Sequence, residues 1–161
     1  VSRDRTSSSL ELEILVSRDE PIPDDLSDES LESLVRTALE AEGQIGEWEI
    51  NLLFTSDHAI QDMHREFMSL DSPTDILTFP FEADMFDPAM ESSHGGDIVM
   101  SVETARYHAE KAGWEVADEL RFLVLHGILH ILDWNDVDDA ARASMLARQT
   151  EILELWRASQ T

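Results

Sequence analysis

The stretch HGILHILDWND, residues 126–136, carries two histidines four residues apart in an otherwise apolar run and closes on carboxylates. At 3.6 residues per turn, positions i and i+4 lie one above the other on one helix face, so His126 and His130 can chelate a single cation. Burying two imidazoles without a shared purpose is costly, which favours a metal over two separately satisfied core histidines. A catalytic zinc takes three protein ligands and keeps one position for water. Asp133, Asp136, Asp138 and Asp139 are the nearby carboxylates. Asp133 continues the same face if the helix persists, whereas Asp136 requires the chain to turn back. The spacing leaves that choice open, and an ordinary solvated turn accounts for Asp138 and Asp139. The peptidase form of this motif has glutamate directly after the first histidine. Gly127 stands there, so a peptidase of that mechanism lacks its general base.

The positions that must hold this pair are read from a chain of 161 residues, 42% hydrophobic, which is one domain by length. Thirty-five acidic against 11 basic residues give a formal charge of −24. Such a surface repels phosphate and anionic lipid at long range, which excludes sequence-blind nucleic-acid binding by a basic face. With no cysteine there is neither a disulfide framework nor a thiolate site, so a metal must use His, Asp or Glu. No apolar run reaches the roughly 18 residues of a membrane span, and the N-terminus lacks the apolar core of a signal peptide. The expectation is a cytoplasmic protein without membrane contact.

Residues 1–10 read as a polar tail and 11–161 as a single domain. Alternation predicts strands over 10–17 and 47–56, and a further strand at GGDIVMS (95–101). Pro73 and Pro80 bracket a short β-run, which suits an edge strand. Helices are expected over 25–43, with Leu31, Leu34, Val35, Ala38 and Leu39 on one face and Gly43 as the stop. Others are expected over 57–70, capped by Ser56 or Asp57, and over 101–113, between Ser101 and Gly113. A long apolar helix over 114–132 carries the histidine pair, and an amphipathic helix over 140–159 ends the chain. Interspersed strands and helices without a regular crossover pattern predict an α+β domain: a small mixed sheet packed with about five helices.

The motif HGILHILDWND resembles the HGxLHLxGYDH signature of the YbeY family of bacterial rRNA-maturation endoribonucleases. DSPTDILTFPFE (71–82) is similar to that family's D-x-PTDVLSFPF segment, and GGDIVMSVETA (95–105) to its LGDIxIS segment. The likeness runs in order over roughly residues 45–155. It implies a zincin-like fold with a metal at the end of the sheet, and metal-dependent cleavage of single-stranded RNA in maturation of the 16S rRNA 3′ end and in ribosome quality control. The implied partners are the small ribosomal subunit, one of its proteins and an Era-like GTPase.

Carried onto this chain, the resemblance makes His126, His130 and Asp136 the metal ligands, through which catalysis would run, with zinc as the ion. Asp136 replaces the family's third histidine, and a two-histidine, one-carboxylate set is a good site for zinc or another divalent ion. Asp133 replaces the family's glycine, a substitution that costs conformational freedom. Trp134 and Asn135 replace tyrosine and aspartate. Met68 stands where the family carries an arginine important for activity. Arg65, one turn earlier, and Arg121 are the candidate phosphate contacts, with Arg106 a further cation. His58, His64, His94 and His108 are expected in surface or packing roles. Asp75 and Asp97 are expected either to support the site or to cap local structure. A binding factor with weak or no catalysis, and a metallohydrolase of another substrate, are the alternative readings.

Overall fold

The structure is a computed structural model that describes residues 9–68, 74–81 and 94–160. Four strands form one mixed sheet: β1 (Leu10–Arg18), β2 (Gly46–Thr55), β3 (Ile76–Pro80) and β4 (His94–Ser101), in the order β1-β2-β4-β3. β1 and β2 are parallel, as are β2 and β4, while β3 runs antiparallel to β4 along the edge. Pro80 therefore sits on an edge strand, where its missing N–H costs no central ladder bond. Five helices are described: α1 (Asp28–Ala41), α2 (Asp57–Met68), α3 (Val102–Ala112), α4 (Val116–Ile131) and α5 (Asp139–Ser159). This is the α+β fold with a small mixed sheet that the sequence predicts. Of the expected polar tail, residues 1–8 lie outside the described residues, and Leu10 already opens β1. The sequence reads as an irregular loop over 83–94, which lies outside the described residues apart from His94.

Period-two alternation divides the sheet between two cores. Ile50, Leu52, Phe54, Ile98 and Met100 face the main core with α1, α4 and α5. Val99 and Leu77 face the other way and meet Ile60 of α2, with Leu53, Met63 and Phe79 packed against them. The five residues expected on one face of α1 are all buried. Each leucine or valine among them contributes about 1.5–3 kcal/mol relative to exposure. α4 is the central helix, and Leu120, Val124, Leu125, Ile128 and Leu129 are fully buried along it. Phe122, His126 and His130 remain half-buried, at i, i+4 and i+8 on one strip. The histidine pair thus occupies the part of α4 that the core leaves partly open.

Gly127 explains how closely α4 seats on the sheet. A Cβ there would come within 2.8 Å of Ile98 Cγ2 and 2.9 Å of Ile98 Cδ1. Ile98 is itself fully buried, so nothing yields cheaply. The position at which a peptidase helix carries its glutamate has no room here for a side chain.

The helix ends follow the expected chemistry. Ser27, Ser101 and Asp138 accept from the backbone N–H groups of Ser30, Thr104 and Ala141, capping α1, α3 and α5. Of the two caps weighed for α2, Ser56 receives the Ala59 N–H at 3.1 Å. The Asp57 carboxylate instead accepts from the hydroxyls of Ser101 and Thr104, the latter at 2.6 Å, and so ties the start of α2 to the start of α3.

Three helices finish in the same hydrogen-bonded turn. Gln44 N donates to Leu39 O, Trp114 N to Ala109 O, and Trp134 N to Leu129 O, each turn passing through one left-handed residue. In α1 and α3 that residue is glycine, at Gly43 and Gly113. In α4 it is Asp133, with φ +72°, the one non-glycine residue at positive φ among those described.

Candidate metal centre

The turn at Asp133 decides which carboxylate meets the histidines. A left-handed residue after Leu132 reverses the chain, so Asp133 cannot continue the helical face. The reversal brings the main-chain oxygen of Trp134 to 3.1 Å from His130 Nδ1. It also carries Asp136 back over the ring pair. Asp136 Oδ2 lies 3.6 Å from His126 Nε2 and 3.7 Å from His130 Nε2. The two Nε2 atoms are 2.9 Å apart, with the rings edge to face. Among the described residues these three form the one group of His, Asp and Glu side chains close enough to share an ion. Their side chains are 20%, 26% and 39% exposed, so the cluster is walled by the core on one side and open to solvent on the other.

Hydrogen bonds behind the rings set what the cluster presents. Gln149 of α5 is buried, and its Nε2 donates to the Phe122 carbonyl at 3.2 Å. That bond fixes the amide so that Oε1 faces His126 Nδ1, at 2.9 Å. Nδ1 of His126 must then be the donor, and Nδ1 of His130 must donate to the Trp134 carbonyl. In the neutral form that a metal ligand requires, an imidazole has one N–H and one lone pair, so rings held by these Nδ1 bonds would direct both Nε2 lone pairs into the cluster. With Asp136 Oδ2 this makes three converging acceptors, a donor set complementary to a cation. A triangle with these edges has its centre about 2.0 Å from each corner, which is the zinc–nitrogen and zinc–oxygen distance. The residues present fit a divalent metal.

The turn is anchored from outside. Trp134 Nε1 donates to Glu42 Oε1 at 2.7 Å, and Arg148 Nε donates to Glu42 Oε2 at 2.7 Å. Arg148 also donates to the Ala41 carbonyl at 2.8 Å. The end of α1, the turn after α4 and the middle of α5 are thus fastened at one carboxylate. Gln149, Glu42 and Arg148 are site-supporting residues that the sequence reading misses. One signal was present: Gln149 interrupts the otherwise apolar buried stripe Met145, Ile152, Leu153 and Trp156.

The remaining sequence candidates lie elsewhere. Arg121 pairs with Asp118 at 3.0 Å and Asp25 at 3.4 Å, with its guanidinium over the Trp156 ring, and is 11% exposed. Its charge serves the packing of α4 against α5. Arg65, near the end of α2, is half-exposed and pairs with Asp62 at 2.6 Å. Arg106 donates to the Pro21 carbonyl. Met68 closes α2, and its side chain lies outside the described residues. Asp97 accepts from Asn51 at 2.8 Å on the sheet face opposite Ile98. The Asp75 main chain accepts from Ser101, and its carboxylate lies 3.9 Å from His108. Beside that pair, burial pushes the Glu119 carboxyl above its ordinary range; His108 opposes the shift and Asp75 adds to it. His94 stacks on Trp48, and His58 lies 3.5 Å from Asp62.

Fold and site together define an α+β protein whose central helix carries a half-open two-histidine, one-carboxylate centre. A family model described as Endoribonuclease YbeY matches residues 15–157. Endoribonuclease YbeY of Moorella thermoacetica is 39% identical over 140 residues, spanning 84% of this chain and 89% of that protein. The Treponema denticola Endoribonuclease YbeY is 36% identical over 111 residues, spanning 68% and 72%. The solution structure of TM1509 from Thermotoga maritima superposes with a TM-score of 0.59 at 23% identity, over 91% of this chain and 93% of that one, which is a likeness of fold. The chain belongs to the YbeY endoribonuclease family. Among the described residues, no helix is long and apolar enough to cross a membrane.

Proposed function

We propose that this protein is a zinc-dependent endoribonuclease that cleaves single-stranded RNA during maturation of the 16S rRNA 3′ end, with a part in ribosome quality control in the cytoplasm. The observation that carries the reading is the convergence of three lone-pair donors, His126 Nε2, His130 Nε2 and Asp136 Oδ2, in a chain whose relatives are named endoribonucleases. A divalent ion held there supplies positive charge for a phosphate and lowers the pKa of water beside it. The two imidazoles and the carboxylate would hold that ion, and the hydrogen bonds from each Nδ1 keep the rings oriented toward the cluster. Gly127 leaves no carboxylate next to His126, so the helix glutamate that serves a peptidase as general base has no counterpart at that position. Arg65, exposed on α2 and paired with Asp62, is the proposed phosphate contact; reaching a phosphate oxygen would exchange that pair for a charge-assisted contact. The small ribosomal subunit, one of its proteins and an Era-like GTPase are the proposed partners.

A second reading, a ribosome-assembly factor with weak catalysis, is favoured by two residues. Met68 replaces a cation, and Asp136 adds negative charge at a centre within a chain already at −24. One experiment separates the two. The purified protein is assayed for zinc content and for cleavage of a single-stranded rRNA 3′-end precursor, before and after metal removal. Cleavage lost with the metal and restored by zinc supports the endoribonuclease. Bound zinc with RNA binding but no cleavage supports the assembly factor. Absence of any divalent metal affinity would overturn the metal-dependent reading.

A further inference from the structure

We propose that Gln149 is the positioning residue of the metal centre: it locks His126 in the tautomer that offers Nε2, and thereby couples metal binding to the docking of α5. The proposal rests on the metal-dependent reading above. Gln149 is 1% exposed on a helix whose other buried positions are all apolar. An amide buried there without purpose is costly, and this one satisfies both of its ends. Its N–H donates to the main chain of α4 at Phe122, one turn before His126. Its oxygen then faces Nδ1 of that histidine at 2.9 Å.

The direction of this relay matters. Main-chain carbonyls accept only, so the Phe122 oxygen sets the amide orientation, the amide oxygen sets Nδ1–H, and Nδ1–H sets the lone pair on Nε2. His130 has its own lock, the Trp134 carbonyl, but that lock lies within the same chain turn. His126 instead takes its orientation from a separate helix, 23 residues further along the chain. Displacing α5 removes the acceptor from Nδ1 and frees the ring to rotate or to carry its proton on Nε2, where a cation must bind. Linkage is reciprocal: if docking of α5 favours the metal, the metal favours docking of α5 by the same factor.

The test uses the full chain with Gln149→Met, which keeps length and packing but neither polar end. Three quantities are measured: zinc affinity by calorimetric titration, the His126 ring tautomer in the metal-free protein by long-range proton–nitrogen NMR, and the melting midpoint with and without zinc. The wild type is expected to show His126 as the Nδ1–H form. Gln149→Met is expected to show a mixture, a zinc affinity lower by about 10–100-fold, and a smaller zinc-induced rise in melting midpoint. Gln149→Glu retains the acceptor toward His126 and is expected to restore the tautomer and most of the affinity, at lower stability because it loses the donor to Phe122. An unchanged tautomer and unchanged affinity in Gln149→Met overturn the proposal, as does loss of the tautomer in Gln149→Glu. If Gln149→Met does not fold, Gln149→Glu decides alone. If the wild type binds no zinc, the metal reading fails, and the tautomer measurement still decides whether Gln149 orients His126.

Discussion

The indole N–H of Trp134 donates to Glu42 Oε1 across 2.7 Å, joining the turn that carries Asp136 to the end of α1, 92 residues earlier in the chain. Trp134 makes the joint effective because its main-chain oxygen also receives His130 Nδ1. One residue thereby links the position of α1 to a ring of the His126, His130 and Asp136 cluster.

Glu42→Ala should therefore act at a distance. It leaves Arg148 and the Trp134 indole without their common acceptor, and both are largely enclosed. A cost of about 1.5–3 kcal/mol is expected, in the range of hydrogen bonds to a charged group. Zinc affinity should fall by about tenfold, as when an outer partner of a ligand is lost. Urea denaturation and zinc titration of the variant measure the two effects. A stability loss with unchanged affinity would confine Glu42 to the fold.

Asp136→His should keep or tighten zinc binding, because imidazole is a good zinc donor and the backbone already brings position 136 over the ring pair. Asp136→Ala should weaken binding by more than the about 10–100-fold cost of losing an outer-shell partner. Titration of both variants checks the order. Equal affinity of Asp136→Ala and wild type would remove Asp136 from the centre.

Asp133→Gly should stabilise the protein. Position 133 holds φ +72°, and the equivalent turns of α1 and α3 use glycine. Relieving a left-handed non-glycine residue is worth up to about 1–2 kcal/mol, less for aspartate, which tolerates this region better than most. A rise in melting midpoint without change in zinc affinity is the expected result, since the carboxylate of Asp133 is not among the converging acceptors.

Glu119 predicts a pH dependence. Burial raises its folded pKa above the ordinary 4.5, against the pull of His108 and with a contribution from Asp75. A carboxyl with a raised folded pKa binds its proton more tightly when folded than when unfolded. The contribution to stability is full below pH 4.5 and is lost as pH rises through the elevated value. Glu119→Gln cannot ionise, so its melting midpoint should exceed that of the wild type most clearly at neutral and alkaline pH. Parallel midpoint curves for the two proteins from pH 4 to 8 would contradict the assignment.

The elements and the histidine pair are legible in the sequence alone. Apolar periodicity of 2 and 3.6 is local, and it placed the described strands, the buried face of α1 and the long apolar helix with His126 and His130 on one strip. Caps at Ser101 and Gly113 were equally local, because a side chain reaching its own backbone needs no distant partner. The motif likeness pointed to Asp136 as third acceptor, but spacing alone left Asp133 in competition. Tertiary structure decided between them, since only the left-handed turn at Asp133 shows which carboxylate returns to the rings. It also decided what orients the rings. Gln149 and Glu42 lie 23 residues after His126 and 92 residues before Trp134, and contacts at such separations have no periodicity to betray them. Arg121 illustrates the same limit: its charge is evident from sequence, but its enclosure by Asp118, Asp25 and Trp156 follows from how three segments pack. Local patterns are written along the chain, whereas the partners of a polar side chain are fixed only when separate elements meet.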